Sequence, residues 1–277
     1  TPVTEALRQT GARAATLNRS WSLYQVPDAL LPPNTSLAYG WRDAQGYDSL
    51  YLGAYRPLAD RLAGPDGNAS PPENGNIVFI KRADSPLMPL LGARYVVSQE
   101  PLTRGDLLPA SGFPPGPPYV YQDTRALPEA YLATTWFPAD PADGLSRLAS
   151  MPPGAAFVPP GAPVAMPEPG PAGATATEAT LVRRSAGLIE VSVSAARPSL
   201  LVLSEGYHPG WKVTLERAGR PAEAVRPVRV NSAFQGVYLP PGPATLRWRF
   251  EPASFRLGLF LGLCACAVLC ALAGRRR

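Results

Sequence analysis

Residues 257–274 form an uncharged, wholly apolar run of 18 positions, followed by Arg275, Arg276 and Arg277. As a helix rising about 1.5 Å per residue it would extend roughly 27 Å, close to the roughly 30 Å hydrocarbon core of a bilayer. A helix buried in a protein core is usually striped, whereas this one is apolar all round, which favours a membrane. The three arginines bias the C-terminal end to the cytoplasm, so everything before Leu257 is expected on the outer face. Phe255 and Arg256 precede the run, an aromatic ring and a snorkelling cation that suit the headgroup layer. The spanning helix is therefore expected over residues 253–274, with 275–277 as a cytoplasmic tail.

That placement makes the cysteines informative. All three, Cys264, Cys266 and Cys270, lie inside the apolar run, so the exterior part can form no disulfide and no Cys-based zinc site. With His208 as the single histidine, no metal and no cofactor are expected. The net charge of +5 owes three units to the terminal arginines, so no basic nucleic-acid surface is implied. Thr1 is not a start methionine and no secretory signal follows it. An exterior chain of this kind is expected to be the C-terminal portion of a longer protein, or a processed product, preceded by further membrane spans.

The 35 prolines and 25 glycines require much loop, and they divide the chain. Residues 1–20 read as a connector leaving the upstream membrane region. Residues 21–137 mix short strands (21–26, 77–80, 95–97, 119–122, 130–134) with short helices (50–62 around Pro57, and 86–91 ended by Gly92), an α+β pattern. Residues 138–177 are dominated by Pro, Ala and Gly and read as a semi-stiff linker interrupted by one short helix at 143–149. From 178 to 252 apolar and polar residues alternate. Ile189, Val191 and Val193 form one such row, Trp211, Val213 and Leu215 another, and Leu246, Trp248 and Phe250 a third, with turn signals between, as in an antiparallel β-sandwich. The expected fold is thus an α+β domain, an antiparallel β-sandwich and one C-terminal transmembrane helix.

No nucleophile, base and acid set is legible, and no phosphate loop or calcium loop occurs. His208 lies between two strands in Tyr207-His208-Pro209-Gly210-Trp211, where a reversal made by Pro-Gly accounts for it. The best ligand surface is the cluster of Trp41, Asp43, Tyr47, Asp48 and Tyr51, with Tyr39 and Tyr55 beside it. Rings stack on the apolar faces of sugars and carboxylates accept from hydroxyls, so these residues suit a glycan. The same rings could instead build the first core, since Tyr and Trp bury their bodies and pair their polar tips. Replacing Trp41 and Tyr47 by alanine separates the two, through lost binding in one case and lost stability in the other.

Several ordered segments resemble the C-terminal half of the YfhO family of bacterial multispanning membrane proteins. They are Leu31-Pro32-Pro33-Asn34-Thr35, Gly46-Tyr47-Asp48-Ser49-Leu50 and Leu91-Gly92-Ala93-Arg94-Tyr95-Val96-Val97. Then come Leu200 to Ser204, Tyr207-His208-Pro209-Gly210-Trp211-Lys212, Val230-Asn231, and Gly236-Val237-Tyr238-Leu239-Pro240-Pro241-Gly242. Two departures stand out. Glu216-Arg217-Ala218-Gly219 replaces the family's Asp-Gly turn, and Pro128-Glu129-Ala130-Tyr131 replaces Pro-Arg-Ala-Tyr. The resemblance implies a GT-C-like glycosyltransferase of the bacterial cell membrane, multi-pass at full length, taking a sugar from a polyprenyl-phosphate carrier and acting on a cell-envelope glycan. In such enzymes the catalytic carboxylate lies in an early exterior loop, which this sequence lacks. No catalytic residue is transferred, and the chain alone is expected to be inactive, contributing to acceptor or glycan recognition. The alternative is a noncatalytic cell-surface glycan-binding or scaffold module anchored by one helix.

Overall fold

Residues 1–18, 30–47, 52–64, 77–162 and 176–274 are described by the computed structural model. The chain opens with α1 (Pro2–Thr10), held at its start by a capping box in which Thr1 Oγ1 accepts from the Thr4 N–H at 3.3 Å. Gly11 ends the helix in the left-handed region at φ 63°. Next comes β1 (Arg13–Thr16), all four residues of which are buried. Of the segment expected as a connector, the described residues 1–18 contribute core. Leu7 and Ala15 are completely buried, and β1 lies inside a five-stranded sheet. Its Arg-Ala-Ala-Thr sequence carries no alternation because both of its faces are buried, and small residues suffice there.

The elements that follow are α2 (Thr35–Tyr39), β2 (Arg42–Asp43), β3 (Gly46–Tyr47), α3 (Arg56–Ala63) and β4 (Ile77–Val78). After them come β5 (Ala93–Ser98), β6 (Leu107–Pro109), β7 (Tyr119–Asp123), β8 (Ala130–Leu132) and β9 (Thr135–Pro138). The first sheet has the order β2-β1-β5-β7-β6, with β1 parallel to both neighbours and the remaining pairs antiparallel. Pro57 starts α3 rather than interrupting a longer helix, because a residue without an N–H is harmless only in the first turn. Residues 86–91 are compressed into a 3-10 turn, Met88–Leu91, closed by Gly92 at φ 60°. The strand expected at 21–26 lies outside the described residues.

Within the expected linker, α4 (Pro141–Leu148) is followed by β10 (Ala155–Val158), which is buried throughout and runs parallel to β9. Composition concealed β10 because prolines flank it while its own four residues, Ala-Ala-Phe-Val, contain none. Asp140 caps α4, accepting from the N–H groups of Ala142 at 2.9 Å and Asp143 at 3.0 Å.

The remaining elements are β11 (Thr177–Glu178), β12 (Thr180–Ser185), β13 (Leu188–Ala195), β14 (Ser199–Gly206) and β15 (Trp211–Glu216). They continue as β16 (Glu223–Val225), β17 (Val228–Val230), β18 (Phe234–Leu239), β19 (Gly242–Phe250) and α5 (Ala253–Gly274). Two five-stranded sheets result, ordered β11-β8-β14-β18-β17 and β12-β13-β19-β15-β16. The fold class is as expected, α+β first, antiparallel β next and one apolar C-terminal helix last.

Compactness divides the chain differently from the expected linear boundaries. The larger unit comprises Thr1–Ala179, Ala195–Tyr207 and Val228–Gly242, and the smaller comprises Thr180–Ser194, His208–Pro227 and Pro243–Arg277. The cause is β8, which pairs with β14 across the sequence boundary between the α+β and β regions. The larger unit's core gathers Leu58, Leu62, Met88, Tyr131, Phe157 and Leu200, among others. In the smaller unit one sheet face is buried, with Val191, Val213, Leu246 and Trp248 in its rows.

Candidate functional site

The proposed glycan-binding residues are placed unequally. Gly40, at φ 69°, ends α2 and turns Trp41 inward, where it packs with Val3, Leu7, Ala14, Val97 and Val120 and is only 4 % exposed. Its ring therefore offers no open face to a sugar. Tyr39, on α2 itself, is 54 % exposed. Tyr47 is half-buried on β3, where Asn34 clamps its backbone: Asn34 Nδ2 donates to the Tyr47 carbonyl at 2.6 Å and Oδ1 accepts from its N–H at 3.2 Å. Asp48 and Tyr51 lie outside the described residues. Tyr55 packs edge-on against Phe234, and its hydroxyl donates to the Ala44 carbonyl at 3.4 Å. Burial pushes the Tyr55 phenol up to about 12.

Asp43 is the most perturbed carboxyl of this region. Part of the residue reaches the surface, but Oδ2 is sealed and has no hydrogen-bond partner, while Oδ1 accepts from the Gln45 N–H at 3.2 Å. Loss of solvation pushes its pKa up to about 8, against the opposing pull of Gln45 and of the Ala44 and Thr16 N–H groups. At neutral pH Asp43 is accordingly held mainly as the neutral acid.

Close by in the sheet is a constellation that no sequence pattern announced. Arg42 grips Glu129 with both guanidinium nitrogens, and Arg13 approaches the same carboxylate at 3.5 Å. Arg13 also donates to the Leu91 carbonyl at 2.6 Å, and Arg42 to the Gly11 carbonyl at 3.4 Å. The Glu129 side chain is 11 % exposed. Two guanidinium groups engage the one carboxylate, so it is suited to bracing β1, β2 and the segment before β8. Arg13 and Arg42 are paired directly across β1 and β2, whereas Glu129, outside any strand, meets them by tertiary packing, which is why the three escape a linear reading.

A cavity of about 90 Å3 lies beside β10, lined by Asp140, Pro141, Phe157, Pro159, Arg229 and Ser232, among others. Asn231 organises its back wall from the left-handed region at φ 52°, exchanging two hydrogen bonds with Phe157: Oδ1 accepts from the Phe157 N–H at 2.9 Å, and the Asn231 N–H donates to the Phe157 carbonyl at 3.0 Å. Ser232, at φ 70°, donates from Oγ to the Ala54 carbonyl at 2.9 Å. Asn tolerates that backbone region better than most residues, so Asn231 reads as a pin between β10 and the β17–β18 turn. Asp140 is committed to capping α4, leaving Arg229 as the cavity's basic residue.

In the smaller unit, His208 Nδ1 accepts from the Gly210 N–H at 2.9 Å and its ring meets Phe250 at 5.2 Å between centroids. The histidine is thus engaged in shaping its turn. Among the described residues no group of three or more His, Cys, Asp or Glu side chains could hold a metal ion. Of the membrane features, Ala253–Cys270 is long and apolar enough to cross a bilayer, and none of it is buried by the rest of the protein. No family model, curated protein or solved structure matches the chain.

Proposed function

We propose that this chain is the exterior, membrane-anchored part of a glycosyltransferase that draws its sugar from a polyprenyl-phosphate carrier, with the catalytic carboxylate upstream of Thr1. The observation that carries the membrane part of this reading is α5, a 22-residue helix beginning three residues after β19 ends, none of whose Ala253–Cys270 stretch is buried by the rest of the protein. The transferase activity rests on the resemblance in motif order. A holding role for the exterior part is supported by Glu129, engaged by two arginines, and by Asp43, whose carboxyl end is sealed. In vesicles containing polyprenyl-phosphate sugars, the full gene product is expected to transfer labelled sugar and the present chain alone to transfer none. Absence of transfer from every such donor by the full product overturns the transferase reading.

A second reading, a noncatalytic glycan-binding module, is favoured by the 54 % exposure of Tyr39 and the partial exposure of Tyr47. On that reading Tyr39→Ala with Tyr47→Ala abolishes binding to cell-envelope glycan while the melting temperature holds; unchanged binding removes the surface from consideration.

A further inference from the structure

The strand pair β15 and β19 ends in a feature that neither core packing nor pairing within the protein explains. Its register sets Val213 opposite Trp248, Lys212 opposite Arg249 and Trp211 opposite Phe250. On one face the apolar row outruns the core: Trp248 is completely buried, but Phe250, two residues on, is 41 % exposed and packs tilted against Trp211 at 5.2 Å between centroids. On the other face Lys212 and Arg249 are both exposed and directly opposed. Like charges in directly opposed positions destabilise a sheet. Of the acids on these and the neighbouring strands, Glu216 and Glu190 are taken by Arg247, at 3.1 Å and 3.6 Å, and Glu251, exposed two residues beyond Arg249, has no ion pair with either cation. Among the described residues neither Lys212 nor Arg249 has an ion pair or a side-chain hydrogen bond.

Position supplies the missing partner. Arg249 stands four residues before α5 begins at Ala253, and the first turns of α5 add Phe255, 70 % exposed, and exposed Arg256. The smaller unit as a whole is basic: its four acids are Glu190, Glu216, Glu223 and Glu251, against nine arginines and lysines up to Gly274. Rings and long cations are the side chains that the headgroup layer accommodates, and an anionic leaflet attracts basic residues just outside a spanning helix.

We propose that Lys212, Arg249 and Arg256, with Trp211, Phe250 and Phe255, form a collar at the base of α5 that binds the headgroups of anionic phospholipid. The collar rests on the reading of α5 as a spanning helix, and the two are tested separately. The whole chain is first floated with neutral phosphatidylcholine vesicles under alkaline wash; failure to float overturns the spanning helix and the collar with it. The chain is then melted in nanodiscs of phosphatidylcholine alone and of phosphatidylcholine with phosphatidylglycerol. The expected result is a melting temperature higher by roughly 4 °C or more in the anionic discs at low salt, falling away as salt is added. The gain is expected to vanish in Lys212→Ala with Arg249→Ala. It is expected to persist in Arg217→Ala with Arg220→Ala, at and beyond the opposite end of β15. Equal melting in the two kinds of disc, or equal loss of the gain in both double variants, overturns the collar while leaving the spanning helix standing.

Discussion

Trp41 and Asp43, two positions apart, show how much a side chain's role depends on where its functional end comes to lie. Trp41 sits among Val3, Leu7 and Val97, so its removal leaves a cavity in the core. Trp41→Ala is expected to lower stability by about 3–5 kcal/mol, measured by chemical denaturation, whatever happens to glycan binding. Asp43 is legible by its effect on pH dependence. Its pKa is about 8 when folded and about 3.9 in an unfolded chain, so the folded state keeps a proton that the unfolded state gives up. Its contribution is whole below about pH 3.9, declines as pH rises and is fully lost above the folded value near 8. Asp43→Asn removes the titration. The variant's melting temperature relative to that of the native chain is expected to rise steadily from pH 4 to pH 8 and then level; a constant difference rules out a buried neutral acid.

Among the elements, α4 offers a test in which local propensity and packing oppose each other. Gly144 lies within α4, and a Cβ built there would stand 2.6 Å from the Phe157 ring. Exposed helix positions gain about 1 kcal/mol when Gly becomes Ala. Here the ring on β10 is also fixed by the Asn231 hydrogen bonds, so Gly144→Ala is expected to destabilise, a sign opposite to propensity, and a raised melting temperature contradicts the packing described. The same contrast explains what was legible in the amino-acid sequence. Strands β13, β15 and β19 show one buried face and one open face, and alternation reveals them at once. Strands β1 and β10 are buried on both faces and built largely of alanine, so no period marks them; their strand character comes from partners far along the chain. The aromatic cluster was readable as a set of residues. Which of its rings turned inward was decided by Gly40 and α1, and the Arg13–Glu129–Arg42 brace by the β1–β2 pairing together with the packing of Glu129 against it.

At the scale of the whole molecule, α5 is attached by sequence rather than by burial. Cutting after Glu251 removes α5 and leaves β19 whole, so the truncated chain is expected to be soluble without detergent and to keep the far-ultraviolet circular dichroism of the β-sheets. Aggregation or lost strand signal would mean that α5 supports the fold. The two compact units also differ in charge, the basic one carrying the apolar helix and the larger one holding the excess of acids.

The interleaving of those units has a consequence in time. The sheet through β8 and β14 needs β18 as well, so a nascent chain cannot complete it until Leu239 has left the ribosome. Ala253 begins α5 shortly afterwards, a delay of about one to three seconds at roughly 5–20 residues per second. Synthesis therefore delivers the closing strand and the hydrophobic segment almost together. Completion of that sheet and capture of α5 by lipid would then compete for the few residues between them, Glu251 and Pro252 included.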